Sequence, residues 1–136
     1  LFAVAHRREV GIDLEKIRDD FEPAEIANRH FAASEAAALE AAPLESRLPL
    51  FFDFWTCKEA WIKAMGGGLS IPLNQFEIRF EPGKSPARVV SLGLPIVGPQ
   101  WFVHRLRIAP GYAAALAVAG CDVSILLRDW APPASG

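Results

Sequence analysis

Between Pro23 and Met65 the apolar and polar positions of this chain keep a helical period, and from Leu73 onward they alternate. Leu48, Phe51, Phe52, Trp55, Ile62 and Met65 recur near helical spacing and predict a long helix over Leu44–Met65, stopped by Gly66, Gly67 and Gly68. Two shorter helices precede it. One starts at Pro23, a residue the first helical turn tolerates, and runs through Ile26 and Ala27 toward Phe31. The other covers Ser34–Ala42 and ends before Pro43. Ahead of these, Leu1–Ala5 and Val10–Glu15 flank the polar turn His6-Arg7-Arg8 and predict a hairpin. From Leu73 onward the pattern alternates. Phe76, Ile78 and Phe80 interleave with Glu77 and Arg79 as in a half-buried strand, and Glu81-Pro82-Gly83-Lys84 makes a turn. Further strands are predicted over Trp101–Ile108, Tyr112–Ala119 and Val123–Leu127, the first two joined by Ala109-Pro110-Gly111. Helices followed by consecutive antiparallel strands define the α+β class: an antiparallel sheet with the long helix packed on it.

Composition narrows the function classes. The 136 residues suit a single domain, expected over residues 1–130, with the Pro- and Ser-containing residues 131–136 as a tail that has no reason to order. At 51% hydrophobic and 22% charged, the chain has material for a core and is not intrinsically disordered. Fourteen basic against sixteen acidic residues give a net charge of −2, with no Lys/Arg run, so no nucleic-acid partner is expected. The longest apolar stretch, Tyr112–Cys121, is about half of the roughly 20 residues that a spanning helix needs, so no membrane partner is expected either. Cys57 and Cys121 lie far apart without a signal peptide and point to two reduced thiols in a cytoplasmic protein. The chain opens at Leu1 in mid-strand, and its single methionine is Met65, which predicts the later part of a longer protein.

Two segments could carry chemistry. Alternation along Gly11-Ile12-Asp13-Leu14-Glu15 puts Asp13 and Glu15 on one face, with Ile12 and Leu14 directed at the core. Such a pair is either a solvated strand edge or a site for a hard cation such as Mg²⁺, which favours oxygen ligands. On the long helix Glu59 and Lys63 are four residues apart and share a face, while Lys58 lies a step round. That spacing alone is an ordinary helical ion pair, worth about 0.2–0.5 kcal/mol. His6, His30 and His104 lack metal-ligand spacing, Cys57 has no identified His partner, and the glycine run lacks the Gly-Lys-Ser/Thr ending of a phosphate loop.

Taken together, Val10-Gly11-Ile12-Asp13-Leu14-Glu15 and, about forty residues on, Trp55-Thr56-Cys57-Lys58-Glu59-Ala60-Trp61-Ile62-Lys63 resemble the paired signature of the 4′-phosphopantetheinyl transferases. The continuation Gly66-Gly67-Gly68-Leu69-Ser70-Ile71-Pro72-Leu73 resembles the larger, surfactin-synthetase-activating class, which is built from two similar halves; only the C-terminal half is matched here. The resemblance implies Mg²⁺-dependent transfer of 4′-phosphopantetheine from coenzyme A to a serine of an apo acyl or peptidyl carrier protein, releasing adenosine 3′,5′-bisphosphate. It implies Asp13, Glu15 and Glu59 as Mg²⁺ ligands, Lys58 and Lys63 as holders of the coenzyme A phosphates, and Glu59 and Lys63 as the catalytic pair. It implies a capped helix before Glu35, where this chain has Ala32 and a start at Ser34 is expected. Arg7, Arg8 and Arg47 are either rim contacts for an acidic carrier or an ordinary solvated face. The Ser-His segment and the basic residues of the family's first half are absent. The alternative is a non-catalytic folded half that binds the carrier or the missing half.

Overall fold

Five strands form one antiparallel sheet in the computed structural model of the chain, which describes residues 1–66, 70–83 and 85–135. The elements run β1 (Val10–Lys16), α1 (Pro23–His30), α2 (Ala33–Ala41), α3 (Leu44–Ala64), β2 (Phe76–Arg79), β3 (Ala87–Ser91), β4 (Trp101–Leu106) and β5 (Tyr112–Ala119). Strand order is β1-β5-β4-β3-β2, so the first strand pairs with the last, Asp13 opposite Ala115 and Glu15 opposite Ala113. The α+β architecture expected from the pattern is present.

The long helix packs on β1, β5 and β4, and the strands are made of small residues where it crosses. Ala113, Ala115 and Ala117 of β5 are buried there, which is why the longest apolar stretch is so rich in alanine. On β1 the small residue is Gly11. A Cβ at that position would lie 2.0 Å from the Ala60 carbonyl oxygen and 2.5 Å from the Ala64 amide nitrogen. Neither atom is the end of a flexible side chain, so Gly11→Ala must push helix and strand apart. We expect a loss of about 3 kcal/mol, the upper end for overpacking, read as a lowered urea midpoint. A variant that unfolds at the wild-type midpoint would show that the two elements do not touch. Further along, Trp61 packs on Phe76 at 4.5 Å, with Ile78, Val89, Trp101 and Val103 completing the core. Phe21 and Phe31 close on Phe51 at 5.1 and 5.2 Å and seat the first two helices against α3.

Several expectations are corrected. Leu1–Ala5 forms no strand. The Arg8 guanidinium donates to the Ala119 carbonyl and to Asp122, which draws the turn toward the end of β5 instead of closing a hairpin on β1. Gly120, at φ +86°, leaves room for it, since a Cβ there would come within 2.9 Å of Arg8 Nη1. Val123–Leu127 forms no strand either. These two apolar runs line a groove of about 390 Å³ on the sheet face away from α3, together with Val10, Ile12, Leu106, Leu116 and Val118. Ile12 and Leu14 therefore do not face the α3 core; the carboxylates of β1 do. Strand β3 was not expected, because Pro86 and Pro95 break the pattern around it. The second helix starts at Ala33 and not Ser34, with Glu35 accepting the Ala32 N–H at 3.0 Å, although alanine has no side-chain oxygen to return the cap. The strand expected over Trp101–Ile108 ends at Leu106. Gly67, Gly68, Leu69, Lys84 and Gly136, parts of the expected helix stop, turn and tail, lie outside the described residues.

Candidate functional site

The Gly11 contact sets the distance between β1 and the last turns of α3, and alternation then turns Asp13 and Glu15 toward that helix. Glu59 and Lys63, one turn apart, meet them there. Lys63 Nζ donates to Asp13 Oδ1 at 2.6 Å. The Asp13 side chain is 3% exposed and that of Lys63 54%, so the pair joins a fixed anion to a partly solvated cation. The second oxygen, Asp13 Oδ2, is buried and has no hydrogen-bond partner among the described residues.

The other carboxylates feel the same neighbours. Burial first, then the Asp13 charge, pushes Glu15 above the usual carboxylate range. The neighbouring Trp55 indole and the Lys63 charge oppose the rise. Trp55 is itself stacked on Phe51 at 6.0 Å, which brings the aromatic cluster up to the site. Burial and then Asp13 raise Glu59 as well, with Lys63 opposing and Glu15 adding. The Lys63 ammonium is held above its ordinary value, chiefly by the Asp13 hydrogen bond. Three carboxyl groups share one ammonium in this cluster.

That arrangement fits a divalent cation in donor chemistry. The orphaned Asp13 oxygen is a buried acceptor without a donor, and its neighbours are hard oxygen ligands short of positive charge. Among the described residues, no three His, Cys, Asp or Glu side chains already stand in ligating geometry around one point. Lys63 satisfies only one of the two Asp13 oxygens.

Lys58 does not join them. Its side chain is completely buried, with Nζ 2.9 Å from Glu35 Oε1 and 2.6 Å from the Phe76 carbonyl, and 4.1 Å from the centre of the Phe76 ring. With those acceptors around it, the ammonium has no path to a phosphate in solvent. Lys58, expected to hold coenzyme A phosphates, is engaged here by Glu35 and the Phe76 carbonyl and stands apart from the carboxylate cluster. Two rim arginines are also committed: Arg8 as above, and Arg47 to the Glu40 and Ala42 carbonyls at the end of α2. The residues that sequence reasoning passed over are Glu35, whose capping-box spacing was its only signal, and Trp55, which entered only as part of the apolar stripe of the long helix.

A family model described as the 4′-phosphopantetheinyl transferase superfamily matches residues 9–117, from the foot of β1 into β5, and so includes Asp13, Glu15, Glu59 and Lys63. The chain belongs to the 4′-phosphopantetheinyl transferase superfamily. Among curated members of the superfamily, the 4′-phosphopantetheinyl transferase HetI of Nostoc sp. is 37% identical over 120 residues, 88% of this chain and 47% of the relative. The 4′-phosphopantetheinyl transferase Sfp of Bacillus subtilis is 33% identical over 113 residues, 83% of this chain and 48% of its own length. The 4′-phosphopantetheinyl transferase psf-1 of Bacillus pumilus is 36% identical over 110 residues, 79% and 43% respectively. The chain spans about half the length of the curated phosphopantetheinyl transferases it matches. No helix among the described residues is long and apolar enough to cross a membrane.

Proposed function

We propose that this chain is the C-terminal half of a phosphopantetheinyl transferase of the larger, two-half class, and that it carries the metal-binding and proton-accepting groups of the reaction. The observation behind this reading is the meeting of Asp13, Glu15, Glu59 and Lys63 around a buried carboxylate oxygen that lacks a partner. Asp13, Glu15 and Glu59 would hold Mg²⁺. Bound there, the ion supplies Lewis-acid polarisation of a phosphoryl oxygen of coenzyme A.

The chain's own residues do the rest. Glu59, with its proton affinity raised by burial, accepts the hydroxyl proton of the carrier serine. The serine oxygen bonds to the phosphorus that bears pantetheine, the bond from that phosphorus to its bridging oxygen breaks, and adenosine 3′,5′-bisphosphate leaves with the electron pair. Lys63, half exposed at the mouth of the cluster, offsets the charge on that leaving group. Lys58 takes no part in these steps. The partner is an apo acyl or peptidyl carrier protein and the co-substrate is coenzyme A. We place the reaction in the cytoplasm, where the free thiols Cys57 and Cys121 stay reduced.

The test is transfer of labelled pantetheine from coenzyme A to an apo carrier protein by the chain as given. We expect transfer with Mg²⁺ and none in EDTA. A second reading, a folded half that binds the carrier or its other half without turnover, draws on the span of about half the relatives' length. Carrier binding without transfer, even with Mg²⁺ present, would favour that second reading over the first.

A further inference from the structure

The two ion pairs that α3 makes through its motif lysines are opposite in kind. Lys58 is enclosed and held by several acceptors. Lys63 stands one residue before the end of the helix, its ammonium has a single hydrogen-bonded partner among the described residues, and half of its side chain is open to water. Its partner cannot follow it. Asp13 lies on a strand paired through its length to β5 and pressed on α3 at Gly11, with its side chain almost wholly buried.

We propose that Lys63 is an internal place-holder for the divalent cation: it neutralises Asp13 in the metal-free chain, gives it up when the cation binds, and thereby sets the cation affinity. This rests on the metal-site reading above. The ammonium engages Oδ1 and leaves Oδ2 buried without a donor, so the pair satisfies only half of Asp13. A divalent ion taken up by that carboxylate and an ammonium on the same group repel each other in a pocket that water screens poorly. Of the two cations, Lys63 is the one that can leave cheaply, because its flexible stem and half-solvated head rotate into water. The released ammonium is then free for an anionic substrate, which links cation binding to the availability of the charge placed above at the leaving group.

Two measurements on the whole chain test the exchange. In the first, lysines are labelled with an amine-reactive acetylating reagent and quantified by mass spectrometry, in EDTA and in Mg²⁺. Exposed Lys16 and buried Lys58 serve as references. Lys63 should label more slowly than Lys16 in EDTA and several-fold faster once Mg²⁺ is added, with both references unchanged. In the second, Mn²⁺ alone is titrated and the free ion followed by electron paramagnetic resonance. Lys63→Gln should bind it about tenfold more tightly than wild type and should gain more in melting temperature from Mg²⁺. If Mg²⁺ stabilises the wild type against heat yet leaves Lys63 labelling unchanged, the ammonium and the ion share Asp13, and the exchange is wrong while the metal site stands. Equal Mn²⁺ affinity in the two proteins likewise overturns the exchange. If neither protein binds Mn²⁺ or responds to Mg²⁺, the metal site itself falls and takes the exchange with it.

Discussion

Replacing Glu35 with alanine should lower the stability of this chain by about 3–5 kcal/mol, the usual cost of stranding one member of a buried ion pair. Glu35 and Lys58 are 1% and 0% exposed, with Lys58 Nζ 2.8 Å from Oε2. Burial pushes the Glu35 carboxyl up and the Lys58 ammonium down, and their mutual attraction opposes both shifts. The surrounding hydrogen bonds favour the ionised pair. Glu35 accepts the Ile78 N–H at 2.7 Å and the Ala32 N–H at 3.0 Å, while Lys58 donates to the Phe76 carbonyl. One carboxylate thus ties the start of α2, the middle of α3 and the edge strand β2. Glu35→Ala strands an ammonium and two backbone donors at once. Against the 5–15 kcal/mol typical of a domain, that is a large share. Urea unfolding would measure it, and a loss under 1 kcal/mol would mean that the pair is not a structural tie. The double variant Glu35→Leu with Lys58→Met should recover part of the loss, because a buried apolar pair carries no desolvation cost.

Glu59→Gln has the second large effect, and it runs in opposite directions for activity and stability. If Glu59 takes the serine proton, an amide in its place should slow transfer by about 10²–10⁴-fold. Stability should rise. The folded chain, without metal, holds the Glu59 proton more tightly than the unfolded chain does, because burial and Asp13 disfavour the charged form. Its contribution is therefore favourable below the ordinary value of 4.5 and is lost as pH rises through the raised folded pKa. At pH 7 in EDTA the glutamine variant should melt above wild type, and the gap should close as pH falls toward 4.5. Thermal melts across that range decide it. Equal melting temperatures throughout, or near-normal transfer, would remove Glu59 from the cluster. Gain of stability with loss of function is the pattern expected where like charges are held together for a purpose.

How far these features could be read beforehand depended on the period of the chain. The long helix and the strand over Tyr112–Ala119 were legible because their apolar spacing runs over many residues and their ends carry glycine and proline. Leu1–Ala5 and Val123–Leu127 have strand-like composition but no strand to pair with, and composition is blind to pairing. Lys58 and Lys63 look equivalent in a motif, yet five residues on an α-helix turn through about 140° beyond a full revolution. One lysine therefore faces the core and the other the mouth of the carboxylate cluster.

By itself, the order of residues settled the class of fold, the helix that carries Glu59 and Lys63 on one face, and the shared face of Asp13 and Glu15. Those follow from backbone periodicity, which acts over a few neighbouring residues. Only the tertiary structure decided which face of β1 turns inward, that Gly11 lets α3 approach it, that Lys58 belongs to Glu35, and that Lys63 stands on Asp13. These depend on contacts between segments tens of residues apart, where packing and the cost of burying charge select one arrangement from several that the local pattern permits.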